Sequence, residues 1–119
     1  NSIAYVVADP ATKRCALIDP VLDFDRACRG THTQFADQLV ALVREQGLTV
    51  EWILDTHPHA DHFSAAPHLK EIFGAPMAIG EHVVTVQKIW KEIYHLADFP
   101  TDGSQWDRLF KDGERFRVG

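Results

Sequence analysis

The 119-residue sequence lacks the features of disulfide-rich and nucleic-acid-binding proteins. It has two cysteines, Cys15 and Cys28, which are too few to form a disulfide framework. Its 12 Lys and Arg residues are outnumbered by 17 Asp and Glu residues, which gives a net charge of −5. No basic stripe is present that could neutralise a phosphate backbone. We therefore expect two free thiols and no nucleic-acid partner.

Long hydrophobic runs are also missing. The longest one extends from Ile3 to Ala8, far short of the roughly 18 residues that a transmembrane helix needs. No charged-then-apolar leader precedes the first cysteine, so a reducing cytoplasm is the expected location. We expect no membrane partner.

The composition of the chain suits one globular domain. Hydrophobic residues make up 45% of the sequence, which is enough for a single core. The sequence begins at Asn1 and stops at Gly119, directly after a strand-like run, so both ends look cut. We expect this chain to be part of a longer protein.

Turn residues and hydrophobic periodicity predict alternating strands and helices. For the first half of the chain the predictions are a hairpin of Ile3 to Ala8 and Arg14 to Ile18, a loop over Leu22 to Thr33, a helix over Gln34 to Gln46 with Thr33 as its cap, and a strand over Thr49 to Leu54 in parallel pairing with an earlier strand. For the second half they are a short helix closed by Gly74 with Pro67 in its first turn, a strand over Met77 to Ile79, a helix over Val83 to Tyr94, and a hairpin of Leu109-Phe110 with Arg115 to Val118.

Metal-competent side chains are concentrated in one short segment that follows the strand ending at Leu54. His57, His59, Asp61 and His62 place three imidazoles and one carboxylate within six positions. Pro58 disfavours the helical conformation for His57, so the segment starts extended. Since side chains two residues apart in extended chain point the same way, His57 and His59 can reach one ion.

A second metal position is expected close to the first one. Asp61 and His62 can reach it once the chain turns toward the next helix, and Asp61 is also the candidate catalytic residue. Imidazole and carboxylate ligands suit zinc or iron, and a position left open to water would make the site catalytic. The alternative interpretation is a solvated loop in which Asp61 only caps the following helix.

This motif resembles the metal-binding motif of the metallo-β-lactamase superfamily, and Ile18-Asp19-Pro20 is similar to the end of that family's N-terminal hairpin. Residues 4–119 are similar to the glyoxalase II-like branch, which includes the bacterial persulfide dioxygenases. The segments most similar to that branch are Val86-Gln87-Lys88 and Phe99-Pro100-Thr101-Asp102-Gly103.

The resemblance implies an α/β fold of the αββα type, in which two sheets pack face to face with helices outside. In two-metal members the residues that match His57 and His59 hold one ion, and those that match Asp61 and His62 hold the other. In persulfide dioxygenases a single iron is kept, and His57 is the only motif residue bound to it. His59, Asp61 and His62 then orient the site.

The sequence departs from the family pattern after His62. The family's second-half ligands, which come from a Gly-His-Thr-like turn, an aspartate and a final histidine, are not found there. His68, His82 and His95 are isolated and are expected on the surface or on helix faces. We therefore interpret residues 1–119 as the N-terminal part of a single domain whose second half is missing. Ser64-Ala65 stands where many thioester hydrolases have glycines, which favours the dioxygenase branch.

Three functional hypotheses follow. The first is an Fe(II)-dependent dioxygenase that oxidises glutathione persulfide, or a related small persulfide, to sulfite. The second is a Zn(II)-dependent hydrolase of glutathione thioesters, in which all four motif residues are ligands. The third is a non-catalytic, metal-free fragment, whose exposed apolar sheet face would favour self-association and a homo-dimer.

Overall fold

The computed structural model describes residues 3–59 and 63–119. In these ranges the elements are β1 (Tyr5–Ala8), β2 (Arg14–Ile18), β3 (Val21–Asp25), β4 (Gly30–His32), α1 (Gln34–Glu45), β5 (Thr49–Leu54), β6 (Phe63–Ser64), α2 (Ala66–Phe73), β7 (Met77–Gly80), α3 (Val83–Ile93) and β8 (Arg108–Phe110). None of the helices in this part of the chain is long and apolar enough to cross a membrane.

The main sheet has five strands in the order β1-β2-β5-β7-β8. β1 and β2 form the predicted hairpin, in which Tyr5 is paired with Ile18 and Ala8 with Cys15. β2 pairs in parallel with β5, as predicted, and β5, β7 and β8 continue the parallel arrangement. Because parallel strands end at the same edge of a sheet, the residues that follow β2, β5 and β7 meet there.

The helices form where the apolar spacing predicts them. In α1 the buried residues recur at intervals of three or four, as Ala36, Leu39, Val40 and Val43. α2 has Pro67 in its first turn and ends at Gly74, which has the left-handed φ of 66° that favours glycine at this position. Thr33 occupies the N-cap position of α1, but its hydroxyl donates to the Asp37 carboxylate and accepts no backbone N–H.

The core lies between one face of the main sheet and the helices α1 and α2. Cys15, Leu17 and Ile53 of the sheet pack there with Leu69 of α2, and all four are fully buried. Cys15 is thus a small buried hydrophobe, while Cys28 is an exposed free thiol. Burial of this apolar surface is the main favourable term in folding.

The opposite face of the sheet exposes apolar side chains. Val6 of β1 packs against the core, so its neighbours Tyr5 and Val7 point to the other face, where they are 54% and 50% exposed. An exposed apolar strip of this kind is expected in an incomplete sandwich. Self-association of the chain stays a prediction.

The predicted loop over Leu22 to Thr33 is wrong. β3 and β4 lie in this segment as an antiparallel pair, and β6 adds to β3 to make a three-stranded sheet. Both strands are short, and Asp23 and Asp25 are residues that strands disfavour, so their alternation with Leu22 and Phe24 is a weak signal. This small sheet lies against α1, since the Asp23 carboxylate accepts a hydrogen bond from the Phe35 amide at 2.7 Å.

The predicted C-terminal hairpin is also wrong. The turn at Gly113 forms, but residues 115–118 are not a strand, and β8 pairs in parallel with β7 instead. The last segment crosses back to β5, where the Trp52 indole donates to the Arg117 carbonyl at 3.1 Å. Phe116 packs on Phe110 and on the Trp52 ring, with centroids 4.7 and 5.8 Å apart. Aromatic packing therefore determines the path of this segment.

Asp107 joins α2 to β7. Its carboxylate accepts hydrogen bonds from the Lys70 ammonium at 2.6 Å and from the Met77 amide at 2.8 Å. These bonds, first that from Lys70 and then that from the amide, hold the pKa of Asp107 below its usual value. The charged form is therefore favoured in the folded state.

We expect Asp107→Asn to lower the free energy of unfolding at neutral pH, by less than about 1 kcal/mol because the pair is partly exposed to solvent. A carboxyl with a depressed folded pKa stabilises the protein above its unfolded pKa of about 3.9, and this contribution disappears as the pH falls through the folded pKa. Urea unfolding of both proteins between pH 7 and pH 2 measures the difference. A difference in unfolding free energy that persists at pH 2 would contradict this account. An equal effect of Asp112→Asn, in the exposed turn, would also contradict it.

Candidate metal centre

The candidate site lies at the carboxyl ends of the parallel strands. Asp19 directly follows β2, and the segment Asp55–His59 directly follows β5. The two ends are joined by a hydrogen bond from the Asp19 amide to the Leu54 carbonyl at 2.8 Å. Asp19 has a φ of 50°, a left-handed conformation that aspartate tolerates better than most side chains. That turn directs the chain away from the sheet and leaves the Asp19 carboxylate beside the β5 end.

The structure brings His57 and His59 together. Their ring centroids are 4.3 Å apart, and one ligand atom of each lies within 4.8 Å of the other and of an Asp19 oxygen. The His59 side chain is 6% exposed and that of Asp19 13%, so these two are shielded from solvent, whereas His57 is exposed. Asp61 and His62 fall outside the described residues, and their ligand roles stay predictions.

Hydrogen bonds determine which nitrogen of His57 faces the candidate metal position. The Thr56 hydroxyl is 2.7 Å from Asp19 Oδ2 and 2.8 Å from His57 Nδ1. Since the carboxylate only accepts, the single hydroxyl proton goes to Asp19, and the hydroxyl oxygen must accept from His57 Nδ1–H. The neutral imidazole then carries its lone pair on Nε2, which is the form that binds a metal.

His59 is held through Nε2, whereas His57 is held through Nδ1. Its Nε2 lies 3.1 Å from Asp19 Oδ1 and 3.9 Å from Asp55 Oδ1. Donation of Nε2–H to Asp19 assigns the lone pair of the neutral ring to Nδ1. A carboxylate behind a histidine in this way is the usual second layer of a metal site, because it fixes both ring orientation and tautomer.

Asp19 stays ionised because its hydrogen bonds outweigh its burial. Burial alone would raise the pKa of Asp19, but the Thr56 amide and hydroxyl and the His59 ring together lower it. Asp55, by contrast, is buried, and burial raises its pKa even though the Trp106 indole donates to it at 2.8 Å and the Ser64 hydroxyl at 3.2 Å. The two carboxylates beside His59 therefore differ in their affinity for a proton.

Two cavities flank His57 and Pro58. One, of about 220 Å³, is bordered by Asp55, His59 and the aromatic rings of Phe63, Trp90 and Trp106. The other, of about 300 Å³, is bordered by His82 and by apolar residues of β7 and α3. Trp106 borders the first cavity, and α3 contributes Val83 and Val86 to the second. His68 lies on α2 beside Asp37, and His95 is exposed.

A buried amide holds the loop that carries Trp106. Gln87 of α3 accepts a hydrogen bond from the Gly103 amide at 2.9 Å and donates to Gln105 at 2.7 Å. Gly103 has a φ of 73°, and a side chain there would collide with Leu109, so glycine is required. The two segments quoted for the family resemblance, around Gln87 and around Gly103, are therefore in direct contact.

The sequence-family model of the Metallo-beta-lactamase superfamily matches residues 1–117 of this chain. The chain belongs to this superfamily. Its mixed α/β fold is the expected one, and membership implies a metal centre. His57 and His59 fit that role, because their rings converge and each has its second nitrogen engaged by a fixed hydrogen-bond acceptor.

Similar proteins support the glyoxalase II-like branch. A beta-lactamase hydrolase-like protein of Xylella fastidiosa (strain Temecula1 / ATCC 700964) is 64% identical over 119 residues, which are 100% of this chain and 28% of that protein. Glyoxylase B2 of Dictyostelium discoideum is 50% identical over 116 residues, 96% of this chain and 40% of that one. The crystal structure of ETHE1 from Myxococcus xanthus matches with a TM-score of 0.51 and 35% identity, covering 63% of this chain and 28% of that one.

The chain thus spans 27% to 40% of the length of the curated relatives that it matches. The interpretation of residues 1–119 as the N-terminal part of one domain stays a prediction. The relatives include a hydrolase-like protein and a probable metallo-hydrolase.

Asp19, Asp55 and Thr56 are the members of the site that the motif alone does not identify as functional. Each lies at the end of a predicted strand, Asp19 before Pro20 and Asp55 and Thr56 directly before His57. A polar residue at the carboxyl end of a buried parallel strand is the available sequence signal.

We expect Asp19→Asn to weaken metal binding about 10- to 100-fold, the usual cost of losing a partner behind a metal ligand. An asparagine amide that donates to the Thr56 hydroxyl would let the hydroxyl donate to His57 Nδ1, which moves the ring proton to Nε2. Competition with a chelating dye measures the affinity, and ¹⁵N chemical shifts of the imidazole report the tautomer. The matched control is Asp98→Asn in an exposed loop. Unchanged affinity, or an equal loss in the control, would contradict the role of Asp19.

Proposed function

We propose that the intact protein is a mononuclear iron dioxygenase that oxidises the terminal sulfur of glutathione persulfide, or of a related small persulfide, to sulfite. The observation that carries the proposal is the His57 imidazole, held in one tautomer by Thr56 and Asp19, beside a cavity lined by aromatic rings. The resemblance of residues 4–119 to the persulfide dioxygenase branch adds support. The 35% identity with ETHE1 agrees with that branch.

The proposed reaction is balanced by one molecule each of oxygen and water. Glutathione persulfide, dioxygen and water give glutathione, sulfite and two protons. The terminal sulfur rises from oxidation state zero to plus four, and the four electrons reduce both atoms of dioxygen. The sulfur–sulfur bond breaks, and the glutathione sulfur leaves as the thiol.

The residues of this chain would bind and orient in this reaction. His57, through Nε2, would contribute one ligand to the metal, which supplies the redox chemistry when bound. Asp19 and Thr56 hold that imidazole in the binding tautomer. Phe63, Trp90 and Trp106 line the cavity beside it, where they would pack against the sulfur end of the substrate and keep water out.

Zinc-dependent hydrolysis of a glutathione thioester is the second candidate. One observation favours it: the His57 and His59 rings approach one another closely enough for both to serve a single ion, as two-metal members of the superfamily require. The 50% identity with Glyoxylase B2 adds support. In that case a metal-bound water would be the nucleophile, and all four motif residues would be ligands.

Metal analysis of the intact protein, purified without oxygen, separates the two candidates when it is combined with oxygen uptake on glutathione persulfide. One equivalent of iron with rapid uptake and stoichiometric sulfite supports the dioxygenase. Two equivalents of zinc, no uptake and hydrolysis of a glutathione thioester support the second candidate and refute the first. Sulfite must be absent from a reaction run under argon. A cytoplasmic location stays a prediction from the sequence.

A further inference from the structure

A second group of metal-competent side chains lies in the turn between β3 and β4, away from the motif. Asp25 ends β3, Cys28 lies in the turn, and His32 is the last residue of β4. One ligand atom from each of these residues lies within 4.8 Å of the other two. The Cys28 sulfur is 3.9 Å from His32 Nε2.

The strand pairing explains why these three residues meet. When the segment is interpreted as a loop, the sequence alone does not indicate which side chains lie beside Cys28. In the structure, Asp25 is paired with Gly30 and Asp23 with His32, so β4 turns back along β3. The His32 side chain then returns to the thiol four residues before it.

Local backbone features hold the group in place. The Asp25 carboxylate accepts a hydrogen bond from the Ala27 amide at 2.7 Å, which fixes its direction. Arg29 has a φ of 53°, which makes the sharp return into β4. Gly30 leaves room for the thiol, because a Cβ at that position would lie 3.2 Å from the Cys28 sulfur.

We propose that Asp25, Cys28 and His32 form a second metal site, which takes zinc or a similar thiophilic divalent cation and is independent of His57 and His59. Thiolate, imidazole and carboxylate are the three ligand types of protein zinc sites. Three protein ligands leave a fourth tetrahedral position open to water or to a ligand from another molecule. The separations of up to 4.8 Å need only small side-chain rotations to match ligands around one ion.

Charge around the site suits a divalent cation held by a thiolate. The thiolate and the Asp25 carboxylate together offset the two charges of the ion. Arg26 and Arg29 in the same turn are exposed, so solvent screens their repulsion of the cation.

Cobalt(II) titration of the 119-residue chain under argon tests the proposal. Cobalt replaces zinc in such sites, and a thiolate ligand gives a charge-transfer absorption in the near ultraviolet that histidine and carboxylate ligands do not give. The His57 motif contains no cysteine, so this band reports the proposed site alone. We expect the band in the wild-type chain and its loss when zinc is added.

Four variants complete the test. Cys28→Ser is expected to abolish the band, and His32→Gln to lower the cobalt affinity measured by it at least about tenfold, the lower end of the effect of even outer-shell partners. His57→Ala and Cys15→Ala are expected to keep the band. A wild-type chain without the band at saturating cobalt, a band that survives Cys28→Ser, or an unchanged affinity in His32→Gln would overturn the proposal.

Discussion

Replacing His57 by alanine is expected to weaken metal binding at the motif by at least about a hundredfold and to abolish oxygen uptake by the intact protein. The loss should exceed the 10- to 100-fold effect of an outer partner such as Asp19, because the variant removes a ligand atom itself. His57 is also the one motif residue expected to bind metal in both candidate functions. Metal content after dialysis and initial rates on glutathione persulfide measure the two effects.

The matched control for this variant is His95→Ala. His95 is exposed just beyond α3 and does not border either cavity described beside the motif. We expect it to keep wild-type metal content and rate. Far-ultraviolet circular dichroism of both variants shows whether the fold is intact. A folded His57→Ala variant that still binds metal with wild-type affinity would refute the assignment of this residue as a ligand.

The convergence of His57 and His59 was predictable from the sequence, because it depends on local geometry. Pro58 restricts the backbone of the residue before it, and a two-residue spacing in extended chain places both rings on one side. Their partners were not predictable in the same way. Asp19 reaches Thr56 only because β2 and β5 are parallel and in register, with Ile18 opposite Leu54. Such a contact across 37 positions follows from strand pairing.

The same distinction explains which elements of the fold were predicted. α1 and α2 repeat apolar residues along one helical face and carry a glycine just past the last turn, so their signals lie within the element. β3 and β4 have only three to five residues each and contain residues that strands disfavour, such as Asp25 and Gly30, so they are identified only by their pairing with one another. The course of the last residues depends on Trp52, more than 50 positions earlier in the chain.

Leu69→Ala is expected to lower the free energy of unfolding by about 2–5 kcal/mol, a large part of the 5–15 kcal/mol that typically stabilises a domain. Leu69 is fully buried on α2 and belongs to the core cluster with Ile53 of β5. Its truncation leaves a cavity that the close-packed sheet and helices fill only in part. Because only β6 and Ala65 separate α2 from the metal motif, the same change should also weaken metal binding. Urea denaturation of the metal-free chain measures the first effect.

Leu42→Ala on α1 is the matched control for that change, since it makes the same substitution on a helix at a side chain that is 41% exposed. We expect a change of about 0.5 kcal/mol or less, because the surrounding surface closes without a cavity. The comparison separates loss of core packing from a general effect of alanine in a helix. Equal shifts in the two variants, or a shift below about 1 kcal/mol in Leu69→Ala, would show that α2 is not packed on the sheet as described. A large loss confined to Leu69→Ala would show that the packing of α2 in the core, and not its helix propensity, accounts for the effect.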